Sequence, residues 1–214
     1  EEAIEAASPA ALARHHRELL ESRPIDIYVV GDVEPERVRD ELAQALAGRR
    51  EQVQALSPTE VSAGAGDVRR VTQEEPMKQG WLVLGLRTDI TRADPLRYGL
   101  QVFNGILGGF VHSKLFVNVR EKASLAYTAF SSYNANKGLI LAYAGIDVNK
   151  YQEALDIILR QIEDTARGRF SDEELDATRK GFQTQYRMRL DTVDGRILHH
   201  LGGELEGCPE TIEE

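Results

Sequence analysis

The spacing of hydrophobic positions changes several times along the chain, and each change indicates a different element. After Ser8-Pro9, leucines recur at helical spacing, and the pair itself is typical of an N-cap followed by proline at the first helical position. These patterns predict a helix over 9–22, a β-branched strand over 25–30, and a second helix that closes at Gly48.

The middle of the chain combines a long polar stretch with strongly apolar segments. Residues 51–78 are polar and irregular, so we expect a long internal connection there. Residues 80–86 are almost wholly apolar, which is typical of a strand covered on both faces. Two helices should follow, the first from Asp94 to the glycines near 108 and the second over about 112–122.

Two β-rich segments, 125–133 and 139–146, lie on either side of five residues that favour turns. Such a short link predicts an antiparallel hairpin. Side chains that alternate along a strand point to the same face, because the strand repeats every two residues. In the first segment this rule places four side chains together: Tyr127, Ala129, Ser131 and Tyr133.

The last third of the sequence is helical. An apolar stripe predicts a helix over 150–167, Ser171 and Glu174 form a capping box that opens the next helix, and a final one is expected over 192–206. A hairpin with helices segregated from it indicates an α+β fold, in which a largely antiparallel sheet is covered by helices. At this length we expect residues 1–214 to form a single domain.

Charge and hydropathy narrow the classes of partner. The chain has 26 Lys and Arg against 35 Asp and Glu, a net charge of −9, which argues against nucleic acid or a membrane as partner. No apolar run approaches the roughly 20 residues that span a bilayer, and no signal peptide is visible, so we expect a cytoplasmic protein. Because the chain begins at Glu1 rather than Met, we also expect a piece excised from a longer protein.

The sequence contains fragments of metal-binding patterns but no complete one. His15 and Glu18 begin an H-x-x-E-H zinc signature, yet Leu19 stands where the second histidine is required. His200 and Glu204, with His199 beside them, are one helical turn apart and lack a third ligand at a recognisable spacing. We therefore expect no metal and no catalytic residue in this chain.

The single cysteine and a glycine-rich stretch are explained without a catalytic or phosphate-binding role. Cys208 is the single cysteine and has no identifiable basic partner, so it is interpreted as a structural or incidental thiol. Gly105, Gly108 and Gly109 end a predicted helix rather than follow a strand, which is the wrong context for a phosphate-binding loop. Helix termination and close packing explain these glycines.

Arg120 and Tyr127 are the remaining candidates for a functional site. Arg120 ends a predicted helix and Tyr127 lies early in the next predicted strand, so a short turn can bring the guanidinium and the phenol to one edge of the sheet. Both groups are donors that can address a carbonyl oxygen. A plain salt bridge from Arg120 to Glu121 is the competing interpretation.

Residues 104–127 contain the motifs N-x-x-L-G-G, S-x-L-F and R-E-x-x-x-L-A-Y. They resemble the C-terminal domain of the M16 family of zinc metallopeptidases, which includes pitrilysin and insulinase, and within it the bacterial branch of inactive subunits. The likeness runs from about residue 10 to 205. It implies a metallohydrolase fold of the type found in LuxS and mitochondrial processing peptidase.

The resemblance also implies a division of labour. Members of the family pair two halves, of which the active half holds zinc through H-x-x-E-H, while the opposing half supplies an arginine and a tyrosine seven positions apart. Arg120 and Tyr127 match that pair in type and spacing. The resemblance thus implies a non-catalytic domain that binds and orients peptide substrate for zinc held by another domain or a partner subunit. The alternatives are a structural or assembly module without a role in proteolysis, and an autonomous hydrolase with an unrecognised site.

Overall fold

The structure is a computed structural model that describes residues 2–47, 53–57, 60–61, 64, 66–77 and 79–205. Helices flank one small sheet, and the described residues between α3 and β1 form neither helix nor strand. The elements in chain order are α1 (Glu2–Glu5), α2 (Pro9–Ser22), α3 (Pro35–Leu46), β1 (Gly80–Arg87), α4 (Arg97–Asn104), a first π-helix (Gly105–Gly109), a second π-helix (Phe116–Lys122), β2 (Ala126–Asn134), β3 (Leu139–Ile146), a 3₁₀ turn (Val148–Lys150), α5 (Tyr151–Ala166), α6 (Asp172–Leu190) and α7 (Val193–Leu205).

The sheet is antiparallel, with β3 between β1 and β2. The predicted hairpin is therefore confirmed. One face of the sheet is buried beneath α5 and the segment that runs from α4 to the second π-helix, and together they form the core. The predicted α+β class is also confirmed. The fully buried side chains of this core include Leu107, Leu115, Val119, Ile140 and Ile158.

The prediction that β1 is covered on both faces was wrong. Leu82 is buried, but Trp81 and Val83 on the other face are 59% and 50% exposed. The strand lies at an edge of an antiparallel sheet, and the helices cover one face of that sheet. Antiparallel sheets commonly leave one face to solvent. A continuous apolar run does not reveal this arrangement, because the outward positions here are also apolar.

The predicted strand over 25–30 was also wrong. Residues 24–30 form no regular element, and Ile27 and Val29 are exposed. β propensity is expressed only where a neighbouring strand can pair with the segment, and none lies beside it in the described part of the chain. The segment contacts α7 through a hydrogen bond that the Tyr28 hydroxyl donates to Glu204, at 2.5 Å.

The two helices predicted before the hairpin are present but differ in hydrogen bonding. α4 continues into the first π-helix at Gly105, whose N–H donates to the carbonyls of both Gln101 and Val102. The second predicted helix becomes π-helical from Phe116. At its end the N–H of Ala123 donates to Asn118, five residues earlier. π-helical turns are rare and frequently mark functional sites.

The capping box at the start of α6 is confirmed. The Ser171 Oγ accepts from the Glu174 N–H at 3.2 Å, and a Glu174 carboxylate oxygen accepts from the Ser171 N–H at 2.8 Å. The same carboxylate pairs with the Nζ of Lys114 at 3.2 Å. The cap therefore attaches α6 to the segment that carries the second π-helix.

We expect Ser171→Ala to lower the free energy of unfolding by about 1 kcal/mol, because it leaves an N–H at the start of α6 without its acceptor. Ser8→Ala is the matched control. Ser8 caps α2 through the same bond, to Ala11 at 3.2 Å, but α2 buries no residue and should open locally before the core unfolds. We therefore expect Ser8→Ala to lower the free energy of unfolding less than Ser171→Ala does. Equal losses of this free energy in urea denaturation of the two variants would contradict the prediction.

Candidate functional site

Arg120 and Tyr127 line the same open cavity, which has a volume of about 400 Å³. The cavity lies where the second π-helix passes into β2 and where β3 leaves the sheet. The guanidinium and the phenol therefore share one edge of the sheet, although their roles toward a substrate stay a prediction. The remaining residues around the cavity are Ser124, Leu125, Ala126, Asp147 and Lys150.

Arg120 is exposed and is positioned by an aromatic ring. Its Cζ lies 4.5 Å from the centroid of the Phe116 ring, one turn earlier in the same helix, which is a cation–π geometry. Within the described part of the chain Arg120 forms no ion pair, so the competing salt bridge to Glu121 is absent there. The guanidinium is exposed at the cavity, so a ligand there can reach its donors.

A strained turn connects Arg120 to the strand. Ser124 has a φ of 51°, a left-handed conformation that costs a residue other than glycine of order 1 kcal/mol or more. The N–H of Leu125 then donates to the carbonyl of Val119 at 3.1 Å, so the chain reverses immediately after the helix. This reversal brings position 127 back beside Arg120. The sequence contained no glycine or asparagine to signal it.

Tyr127 lies in a β-bulge. Ala126 and Thr128 pair with the consecutive residues Ile146 and Gly145 of β3, which leaves Tyr127 as the extra residue. A bulge re-aims a side chain and interrupts the alternation of faces. Tyr127 is accordingly 71% exposed, whereas Ala129 is buried. The prediction that Tyr127 shares a face with Ala129, Ser131 and Tyr133 was wrong for Tyr127.

Sequence reasoning missed Lys150, which adds a second cation to the cavity. The 3₁₀ turn that carries it is opened by Asp147, whose Oδ1 accepts from the backbone N–H of Asn149 at 2.9 Å and from the side-chain amide at 3.0 Å. Lys150 then donates its own N–H to the Asp147 carbonyl at 2.9 Å. The Asp-x-Asn pattern directly after a strand was the available signal for this turn.

The described residues do not fit a zinc site. They contain no group of three or more His, Cys, Asp or Glu side chains that could hold a metal ion. His15 and Glu18 lie on the exposed surface of α2. Glu204 instead accepts the hydrogen bond from Tyr28, and this bond is the main cause that raises the pKa of Tyr28 to about 12. Cys208 lies outside the described residues.

No helix in the described ranges is both long enough and apolar enough to cross a membrane.

Comparison with known proteins connects this geometry to a family. The profile described as the peptidase M16 inactive domain matches residues 6–182. "Probable inactive metalloprotease YmfF" of Bacillus subtilis is 36% identical over 180 residues, which are 84% of this chain and 42% of that protein. "Uncharacterized zinc protease YmxG" of the same organism is 25% identical over 148 residues, or 68% of this chain and 36% of that protein.

Solved structures agree with these matches. A conserved protein from Enterococcus faecalis V583 superimposes with a TM-score of 0.81 and 32% identity, over 99% of this chain and 50% of that one. The peptidase M16 inactive domain from Pseudomonas fluorescens, with a TM-score of 0.71 and 21% identity over 94% of this chain and 48% of that one, shares the fold. The chain spans half or less of the length of these relatives. The predicted resemblance is confirmed, and the chain belongs to the M16 peptidase family as an inactive domain.

Proposed function

We propose that this domain binds the peptide substrate of a catalytic M16 domain or partner subunit through Arg120 and Tyr127, and that it holds no zinc itself. The observation that carries the proposal is the shared cavity, in which both side chains are exposed beside each other. The zinc would belong to the partner that carries the H-x-x-E-H motif. The two halves together would form the peptidase.

The chemistry of the two side chains suits a peptide carbonyl. Hydrolysis of a peptide bond builds negative charge on the carbonyl oxygen, and donors that are already oriented toward it stabilise that charge. The Arg120 guanidinium lies over the Phe116 ring, and this contact restrains the long side chain at the edge of the cavity. Arginine keeps its charge at any working pH, and the Tyr127 hydroxyl can donate a second hydrogen bond.

The fold supports the orientation of these groups as well as their proximity. The π-helix, the left-handed Ser124 and the bulge at Tyr127 are consecutive irregularities between residues 116 and 128. Each departs from the geometry that regular hydrogen bonding favours. Irregularities of this kind cluster at binding sites, where the surrounding structure maintains them. The occurrence of all three irregularities within one short segment supports a binding role at the cavity.

A structural or assembly role is the second candidate. It is favoured by the outward face of the sheet, which presents Trp81, Val83 and Phe130 at 59%, 50% and 40% exposure. Phe130 also stacks on Tyr143 with ring centroids 4.8 Å apart, which extends this apolar surface across two strands. Exposed apolar surface of this kind often marks a protein interface. Such a role needs neither Arg120 nor Tyr127.

Photo-crosslinking tests the proposed contact directly. A benzoylphenylalanine is incorporated in place of Tyr127 in the full-length protein, which is then assembled with its catalytic partner and illuminated with a labelled substrate peptide. We expect the peptide to become attached at position 127, because the phenol faces the cavity where the peptide would lie.

The matched control carries the same photoreactive residue in place of Tyr98. This tyrosine lies on α4 and is 45% exposed, so the probe is accessible to solvent there, and it is not among the residues that line the cavity. Attachment of peptide at position 98 and not at 127, or at neither position, would contradict the proposal.

A further inference from the structure

The cavity at Arg120 and Tyr127 contains a second cation, Lys150, which the binding of a peptide carbonyl does not require. Lys150 is the last residue of the 3₁₀ turn and the N-cap of α5. The turn leaves the sheet beside the bulge, because Ile146, the last residue of β3, pairs with Ala126. Two cations from separate elements therefore line one cavity.

The ammonium group of Lys150 has no partner among the described residues. The side chain is exposed and takes part in none of the ion pairs or side-chain hydrogen bonds of that part of the chain. Glu153, in the first turn of α5, forms no ion pair with it. The contact of Arg120 is with the uncharged Phe116 ring. Both cations are therefore available to a ligand.

One carboxylate, that of Asp147, belongs to the described residues that line the cavity. Its Oδ1 opens the 3₁₀ turn by accepting from the backbone N–H and the side-chain amide of Asn149. Within the described ranges Asp147 forms no ion pair with Arg120 or Lys150. Two cations and one carboxylate leave an excess of positive charge at the cavity, in a chain whose net charge is −9.

The stability of α5 does not explain a lysine at this position. Residues that stabilise an N-cap accept a hydrogen bond from the first turn of the helix, whereas Lys150 forms no such bond with its side chain. A positive charge at the N-terminus of a helix is also unfavourable to the helix dipole. The remaining structural explanation is an exposed lysine without a specific contact.

We propose that Lys150 gives the peptide site a preference for substrates with a carboxylate close to the contacted carbonyl group, on an acidic side chain or at the C-terminus. The inference rests on the proposed function and names the class of substrate that this site prefers. Arg120 and Tyr127 supply donors for the carbonyl, and the ammonium of Lys150 is left for the carboxylate. The cavity volume of about 400 Å³ lies in the range of ligand pockets, so more than one group of a peptide fits.

The preference is measured with pairs of peptides that the full-length protein cleaves together with its catalytic partner. One series replaces each Glu of a substrate peptide by Gln in turn, and a second compares a free C-terminus with its amide. We expect one carboxylate to lower KM about fivefold relative to its neutral counterpart, near the upper limit for an ion pair in contact with solvent. The kcat values of that pair should agree within about twofold, because a contact away from the scissile bond stabilises the ground state and the transition state alike.

Two substitutions with opposite expected effects test the role of the charges. Lys150→Met should bring the KM ratio of the pair to about one, and Lys150→Arg should keep it near fivefold. Asp147→Asn should increase the ratio about twofold, since asparagine still caps the turn but no longer repels the carboxylate. Because each ratio compares two peptides on one protein, a lower content of folded protein does not change it.

Lys137→Met is the matched control. Lys137 is exposed and lies in the turn before β3, at the opposite end of that strand from Lys150, and it is not among the residues that line the cavity. Its backbone N–H bonds to Asn134, and no ion pair of the described part of the chain includes its side chain. We expect the KM ratio of the unmodified protein.

Each outcome supports or overturns the inference. A preference that is lost in Lys150→Met for a Glu and Gln pair assigns the carboxylate to a side chain, and one lost for the C-terminal pair assigns it to the end of the peptide. No preference in the unmodified protein, a preference that survives Lys150→Met, or equal losses in Lys150→Met and Lys137→Met would overturn it. Peptide crosslinking at position 127 without a carboxylate preference would refute the role of Lys150 alone, whereas absence of crosslinking would refute the peptide site itself.

Discussion

Arg120→Ala, introduced into the full-length protein and assayed with its catalytic partner, is expected to lower kcat for peptide cleavage by about 10²–10³. The guanidinium is held over Phe116 at the cavity edge, so its removal takes away an oriented cationic donor from the carbonyl oxygen. Tyr127→Phe removes only a hydroxyl, and we expect a smaller loss of about tenfold, as for one neutral hydrogen bond.

Lys122→Ala is the matched control for this experiment. Lys122 lies on the same π-helix and is exposed, but its Nζ bonds to Asn118 at 3.2 Å and it does not line the cavity. We expect it to keep wild-type turnover, and the zinc content of the assembly should be unchanged in all three variants. Wild-type turnover from both Arg120→Ala and Tyr127→Phe would refute the substrate role and favour the assembly role instead.

Much of the fold could be predicted because its signals are local. The hairpin depends on two apolar segments and a short polar turn, and the cap of α6 on Ser171 and Glu174, which lie three residues apart. Likewise, Ser8-Pro9 fixed the start of α2. In each case the residues that form the element lie within a few positions of one another. The local sequence pattern is therefore sufficient to predict the element.

The parts that failed depend on distant residues. Whether 25–30 forms a strand is decided by a neighbour to pair with, and whether β1 is covered on both faces is decided by which helices pack on the sheet. The bulge at Tyr127 has the same origin. It requires two residues of β2 to pair with adjacent residues of β3, which is a property of the register and not of residues 126–128 alone.

The candidate site illustrates both limits. Arg120 and Tyr127 were selected through a family resemblance, since chemistry alone left a salt bridge to Glu121 as an equal alternative. Their proximity arises from the left-handed Ser124 and from the bulge, and no glycine in the sequence indicates either feature. Lys150 was missed because it reaches the cavity from the 3₁₀ turn after β3, more than 20 residues further along the chain than Tyr127.

Gly108, in the first π-helix, packs directly against the backbone of β2. A Cβ at Gly108 would lie 2.6 Å from the Ser131 Oγ and 2.9 Å from the Phe130 carbonyl carbon, and closer still to the Ser131 nitrogen. Two of these three atoms are backbone, so they cannot swing aside as the end of a flexible side chain would. The predicted close packing of this glycine is confirmed.

Gly108→Ala is therefore expected to lower the free energy of unfolding by about 3 kcal/mol, since β2 and the helix must separate to admit the methyl group. For the unfolding transition of a domain of this size, that corresponds to a fall of roughly 6–12 °C in its melting temperature. Differential scanning calorimetry of the full-length protein measures the change.

Gly99→Ala supplies the matched control, because nothing lies within 4 Å of a Cβ at that helical position. The same substitution there should raise stability by about 0.5–1 kcal/mol, since alanine loses less backbone entropy than glycine when a helix forms. One chemical change thus has opposite expected signs at two positions nine residues apart. Equal shifts at both positions would mean that the contact between Gly108 and Ser131 relaxes without cost.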